Sequence, residues 1–334
     1  MTEKCNILLI GSGGVGTIAS YALEYAGKSA VTSVLRSDYS RVVERGFSIN
    51  SCDYGQIAAF RPSHVVNSVE ESKKYGPFDF AIIATKCVPE VASMIDVIAP
   101  AVTANTAIVL VQNGIGIEAE AKARFPNNVV LSGVSMIGSA NQNGHIEHEC
   151  KDAIKIGFFE NENYDRAHLE KVCTRFVDLY SNDRNDCEFD ENVKFSRWRK
   201  LVYNACLNSV CALTGVDVGR LELFGGVDTI IREAMREVIA IAKSDGVELS
   251  EDVIDFMIRS DDPVYYSPSM LVDIRKGNLL EIEVINGNPV RIAQEKGIPA
   301  PYLTLIYELL KIIQRRTMEQ KGMITVPTER PVPK

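Results

Sequence analysis

No two cysteines in this 334-residue chain stand in C-x-x-C spacing, although there are eight of them. Cys5, Cys52, Cys87, Cys150, Cys173, Cys187, Cys206 and Cys211 are scattered over a length that needs no disulfide framework, which leaves buried or idle thiols in a reducing compartment. Positive charge is in short supply. Against 44 Asp and Glu there are 36 Lys and Arg, a formal net charge of −8 that argues against bulk affinity for nucleic acid or an anionic membrane. A local basic site for an anionic ligand stays compatible with that balance. Long apolar runs are missing as well: the most apolar region, 94–112, is interrupted by Asp96 and Pro100, so no transmembrane helix is expected. The opening "MTEKCNILLIG" has no charged-then-apolar signal pattern and runs straight into strand-like sequence, so a cytoplasmic protein is expected. Histidine is scarce too, with four residues. The pair His145 and His148 in "GHIEHE" has H-x-x-H spacing, but Gly144 and β-like flanks favour solvated strand residues over a metal site, and no metal is expected.

What is present is an ordinary globular composition, 46% hydrophobic and 24% charged, in a length that favours two domains. The first half alternates short apolar runs with helical patterns. Strands are expected at 5–11, 30–36, 77–86 and 106–114, with helices at 14–27, 89–98 and 117–125 between them. After 128 the pattern changes to two long strand-like stretches joined at "NQNG", a hairpin-type turn. Alternation of strand and helix implies a parallel sheet wound by helices, and the later hairpin implies added antiparallel strands. The polar, turn-rich stretch 178–192 is the natural domain connection. Beyond it nearly everything is helix-patterned, at roughly 191–213, 225–245, 250–259, 267–276, 286–296 and 303–319. The proline-bearing end, 323–334, is expected to be a loose tail.

The stretch "LLIGSGGVGTIAS" carries G-x-G-x-x-G as Gly11, Gly13 and Gly16, at the end of an expected strand and the start of an expected helix. That context makes the motif a dinucleotide loop: Gly11 turns tightly, Gly13 lets a pyrophosphate approach the backbone, and Gly16 lets the helix pack on the strand. Ser12, Gly14 and Val15 complete the loop. An acidic residue about 20 positions on suits the ribose of NAD, whereas arginine suits the 2′-phosphate of NADP. Arg36 stands there, followed by Ser37, with Asp38 already two residues into the loop, so NADP(H) is the expected cofactor. Lys86 and Asn113 end the next two strand-like runs, where ligands of an open parallel sheet bind.

One helical stretch, "RKLVYNACLN", sets Lys200, Asn204 and Asn208 at i, i+4 and i+8 among apolar neighbours, so a polar line runs along one face. Solvent or a substrate could meet that line. Taken in order, the glycine loop, Arg36, "TK" at 85–86, "QNG" at 112–114, "WRKLVYNACLN" at 198–208 and "SPSMLVDIRKGNLLEIEVING" at 267–287 resemble the ketopantoate reductases (2-dehydropantoate 2-reductases) over most of the chain. The last two segments are much more specific than the dinucleotide loop.

The resemblance implies an N-terminal Rossmann-type domain over 1–185 with a doubly wound sheet. It further implies a helical substrate and catalytic domain over 190–322, like the C-terminal domain of 6-phosphogluconate dehydrogenase, with a cleft between the two. It implies NADPH-dependent reduction of 2-dehydropantoate to (R)-pantoate in pantothenate and coenzyme A biosynthesis. Lys200 would be the general acid. Asn204 and Asn208 would be substrate-binding amides, Ser269 the partner of the substrate carboxylate, and Glu281 that of its hydroxyl groups. Asn113 would lie near nicotinamide and substrate, and Lys86 near the cofactor. The implied partner is a small 2-oxo acid, with a homodimer left open. Leu280, where the family commonly has a hydroxyl residue, Pro268 beside Ser269, and the acidic stretch 178–192 depart from the plainest pattern. Two rivals share the frame: reduction of another 2-oxo acid or vicinal dicarbonyl, and a cofactor-binding sensor without turnover.

Overall fold

The computed structural model describes residues 4–330. Its described residues divide into two compact units, one of 4–87, Val91–Asn113 and Ile117–Ser196, the other of Val88–Glu90, Gly114–Gly116 and 197–330.

Among the described residues the first unit holds twelve strands. They are β1 (Cys5–Ile10), β2 (Ser29–Val34), β3 (Phe47–Ser51), β4 (Gly55–Phe60), β5 (His64–Val66) and β6 (Phe80–Ile83). After them come β7 (Ala107–Leu110), β8 (Val130–Ser135), β9 (Gly138–Gln142), β10 (His145–Cys150), β11 (Ala153–Phe158) and β12 (Asp186–Phe189). Eight form one sheet in the order β12-β11-β8-β7-β6-β1-β2-β5, and four form another in the order β4-β3-β10-β9. From β5 to β8 the large sheet is parallel, and β11 joins antiparallel. Strands such as β1 and β6 are apolar without alternation because both of their faces are buried. Ile7, Leu9, Val31, Phe80, Ile82, Val109 and Leu131 pack there with Leu169, Cys173 and Phe176 of the helix Arg166–Tyr180. The direction of strand order reverses between β1 and β6, the topological switch at which such sheets bind ligands.

Two expectations change. The long strand-like stretches after 128 each break into two strands, so that β8 and β11 extend the large sheet while β9 and β10 form the hairpin of the small one. The polar stretch 178–192 contributes β12, parallel to β11 at the sheet edge, where half its residues face water and apolar alternation is weak.

Asp152, at the entry to β11, is buried and accepts a hydrogen bond from the Tyr180 hydroxyl at 2.9 Å. Burial pushes its carboxyl up from 3.8 to about 6. A folded-state value above the unfolded one means that the group's contribution is complete below about pH 4 and disappears as pH rises through about 6. Raising the pH from 5 to 8 should therefore cost on the order of 1 kcal/mol at this site, and Asp152→Asn should flatten that part of a denaturant-midpoint profile. A profile of Asp152→Asn that parallels the native one would refute it.

The second unit is helical. Arg232–Ser244, Asn288–Lys296 and Pro301–Gln320 are its main helices, together with the greater part of Val193–Tyr203 from Arg197 on, and Trp198, Leu201, Met235, Val238, Leu271, Leu303 and Leu310 fill its interior. The Trp198 indole N–H donates to Asp245 at 3.1 Å. Among the described residues three π-helical turns, Asn204–Asn208, Val227–Ile231 and Glu283–Gly287, interrupt the α-helical runs. Residues 323–330 carry no regular element, and 331–334 of the expected tail lie outside the described residues. No helix among the described residues is long and apolar enough to cross a membrane.

Candidate active site

Gly11 leaves β1 at φ +104, in the left-handed region, and a Cβ there would run into the main chain of Ala84 and Thr85 at the end of β6. A Cβ on Gly16 would collide with the Gly11 carbonyl, so the helix Gly14–Tyr25 lies directly against its own strand. A Cβ on Gly14 would strike the main chain of Ser139 on β9. At Gly13 the reverse holds: nothing lies within 4 Å of the Cβ position. The first turn of the helix has no capping side chain and no acidic residue, so its N–H groups and the positive end of its dipole are presented bare. The Ser12 hydroxyl is buried with no hydrogen-bond partner. Open space at Gly13 beside an orphaned hydroxyl and an uncapped helix fits the pyrophosphate of a dinucleotide.

The loop is braced by a residue the sequence reading missed. Asn141 on β9 donates to the Ser12 carbonyl and to the Asp38 carboxylate, both at 2.9 Å. It had been visible only as part of a turn. Asp38 is therefore engaged, whereas the Arg36 side chain, just beyond β2, is exposed. Lys86 is exposed and Asn113 half-buried at the ends of β6 and β7. Gln112 joins these strand ends by donating to the Thr85 carbonyl at 3.1 Å.

In the second unit, the helix Val193–Tyr203 carries Lys200, half-buried, and continues into the π turn Asn204–Asn208. The expected line of polar residues is modified here. An α-helix advances about 100° per residue, so a stripe of positions i, i+4 and i+8 slews by about 80°. A π turn fits more residues into each turn and so brings Asn208 back towards the Lys200–Asn204 face. Asn204 and Asn208 are 7% and 1% exposed. Asn208 donates to the Ser269 hydroxyl at 3.1 Å and accepts from the Met270 N–H at 2.7 Å. This ties the Lys200 helix to the exposed start of the helix Ser269–Arg275. Glu281 is buried, 4% exposed. The backbone just before it is clamped on both sides: the Leu280 N–H donates to Gln314 at 3.0 Å, and Gln314 donates to the Leu280 carbonyl at 3.0 Å. Leu280 itself is 1% exposed, so this departure from the family pattern is absorbed by the core.

The loop after Asn113 explains why glycine follows it. Gly114 has φ +85, and a Cβ there would strike the Val284 carbonyl. The Ile115 N–H donates to that carbonyl at 3.0 Å, Asn288 donates to the Ile115 carbonyl at 2.7 Å, and buried Arg197 donates to the Gly114 carbonyl at 2.9 Å. Arg197 lies one residue before the quoted motif, and nothing in its spacing marked it as a loop anchor.

The histidines separate. Three positions apart on β10, they face opposite sides of the strand. His145 bridges Ser48 and Glu147. His148 is buried, not solvated as expected, because the helix Gly14–Tyr25 covers that face of β10. Donor atoms of Cys52, Asp53 and His148 lie within 4.8 Å of one another, a metal-like grouping by distance. Hydrogen bonding opposes it. Ser51 Oγ accepts from the N–H groups of Asp53 and Tyr54, so its proton goes to His148 Nδ1 at 2.8 Å. The ring proton of neutral His148 then sits on Nε2, facing Asp53 at 3.7 Å, and burial holds the imidazole below its ordinary value. That nitrogen has no lone pair to offer.

Residues 7–161 match the family model described as ketopantoate reductase PanE/ApbA, and residues 192–314 match its C-terminal counterpart. The chain is 39% identical to the uncharacterised Saccharomyces cerevisiae protein YDL144C, over 95% of this chain and 96% of that one. It is similar to the crystal structure of 2-dehydropantoate 2-reductase from Methylococcus capsulatus, with 32% identity, a TM-score of 0.80, and coverage of 93% of this chain and 97% of the other. The fold is shared by a D-mandelate dehydrogenase solved with NADH and anilino(oxo)acetate, at 20% identity, a TM-score of 0.80 and coverage of 93% and 99%. The chain, an α/β unit with a helical C-terminal unit, belongs to the ketopantoate reductase family of nicotinamide-dependent oxidoreductases.

Proposed function

We propose that this protein reduces 2-dehydropantoate to (R)-pantoate with NADPH, as a cytoplasmic step of pantothenate and coenzyme A formation. The observation that carries the reading is the Asn208–Ser269 hydrogen bond, which brings together two motif segments about sixty residues apart in sequence. Gly11, Ser12, Gly13, Gly14, Val15 and Gly16 would hold the pyrophosphate and Arg36 the 2′-phosphate, with Lys86 and Asn113 alongside; the bound dinucleotide supplies hydride. Lys200 stabilises the negative charge that develops on the ketone oxygen and delivers its proton there. Asn204 and Asn208 orient the substrate without adding charge. Ser269 receives its carboxylate, and Glu281 accepts from its hydroxyl. The first unit thus serves the cofactor and the second the substrate. NADPH oxidation across a panel of 2-oxo acids and vicinal dicarbonyls tests the reading: 2-dehydropantoate should give the highest kcat/KM, and a higher value for another ketone would replace it.

Cofactor choice is tested separately. With Asp38 engaged by Asn141, Arg36 is the group proposed to meet a 2′-phosphate. A charge-assisted contact contributes roughly 1.5–3 kcal/mol, so Arg36→Ala should weaken NADPH by about 10–150-fold and leave NADH nearly unchanged. Equal kcat/KM for both cofactors in the native protein would remove Arg36 from this role.

A further inference from the structure

We infer that Asn286 is a positioning residue for the substrate-binding amides, a brace that holds one π turn in register by means of another. A π turn inserts a residue into the α-helical ladder and leaves main-chain carbonyls poorly served by their own helix. In Asn204–Asn208 the carbonyl of Ala205 is met from outside, by Asn286 Nδ2 at 3.0 Å. The other end of the same amide, Oδ1, accepts from Ser209 Oγ at 3.0 Å, and that hydroxyl shares its proton with the Asn204 carbonyl at 3.2 Å. Asn286 and Ser209 are both 0% exposed, so no water replaces either contact.

Asn286 belongs to the π turn Glu283–Gly287. That turn faces a second loop with its Val284 carbonyl, which accepts from the Ile115 N–H at 3.0 Å. The two π turns are thus cross-linked by one buried amide, and the second is pinned independently by the Gly114–Gly116 loop. Without the brace, the stretch 204–208 is free to relax to α-helical winding, which would rotate Asn208 away from Lys200 and from its bond to Ser269. Asn286 touches neither of these two residues by any bond described above. Its effect passes through the backbone of 204–209.

The inference rests on the proposed reduction, and the test separates the two. Asn286→Ala should raise KM for the reduced 2-oxo acid by about tenfold or more, while the dissociation constant of NADPH, read by its fluorescence, stays within about twofold. Selectivity for a hydroxylated over a non-hydroxylated 2-oxo acid should fall, which a general loss of stability would not produce. Amide hydrogen exchange should speed up over 204–209 and not over 232–244. Ser209→Ala, which removes one leg of the brace, should show the same pattern at smaller amplitude and keeps the test decisive where Asn286→Ala does not fold. Native-like KM, selectivity and exchange in a folded variant overturn the inference, as does equal weakening of NADPH and substrate. A native protein that reduces no 2-oxo acid refutes the functional reading, and the exchange pattern then decides the brace alone.

Discussion

Lys200→Ala should lower kcat by about 10²–10⁴-fold, the range in which a positioned general acid contributes, with little change in the affinity for NADPH. Reduction of a ketone builds alkoxide character on the oxygen, and an ammonium aimed at that oxygen acts more strongly in the transition state than in the ground state. Lys200 is suited to this by its place on the fold. It is half-buried on a helix whose next turns carry Asn204 and Asn208, both nearly inaccessible to water. The loss should therefore appear in kcat and in kcat/KM for the oxo acid together. Single-turnover mixing of the NADPH-loaded variant with the oxo acid would read the chemical step directly. A native hydride-transfer rate, or loss of NADPH binding, would move Lys200 out of the acid role.

How much of this was legible in the sequence depends on the range of the contacts involved. The strand β1 and the glycine loop could be read because "CNILLIG" is buried on both faces and the loop follows at once. The "NQNG" turn was equally local: Asn143 and Gly144 take φ of +52 and +79, the pairing a two-residue hairpin demands. β12 escaped notice because its pairing with β11 is long-range and its own residues are polar. The π turns were invisible for a different reason. One inserted residue barely disturbs apolar periodicity over two turns, and the groups that make it tolerable, Asn286 and Ser209, lie 77 residues apart. His148 was misjudged because its neighbours on β10 are polar, and what buries it is a helix from the start of the chain. Arg197 and Gln314 are charged or polar residues that anchor loops from distant segments, and no spacing rule announces such partners.

Substrate choice is expected to show the second large effect. 2-Dehydropantoate carries a hydroxyl that 2-oxoisovalerate lacks, and Glu281 is the group proposed to receive it. Glu281 is 4% exposed, and the backbone just before it is held by the Gln314 clamp at Leu280, so little water reaches this carboxylate. A buried polar group left without its partner costs about 1–3 kcal/mol, and more when charged. Sites built to receive a hydroxyl therefore reject the analogue lacking it by far more than a missing methylene would allow. The native enzyme should favour 2-dehydropantoate over 2-oxoisovalerate by about 10²-fold or more in kcat/KM. Glu281→Gln keeps the shape and removes the charge, so it should erode this preference by at least about tenfold while changing the rate on 2-oxoisovalerate much less. Measuring kcat/KM for both oxo acids in both proteins gives the four numbers required. Because Leu280 is sealed in the core, a changed preference cannot be ascribed to that departure from the family pattern. If the native enzyme prefers 2-oxoisovalerate or an uncharged dicarbonyl, the carboxylate at 281 is not a hydroxyl receptor, and Ser269 and its exposed surroundings become the place to seek what the pocket selects.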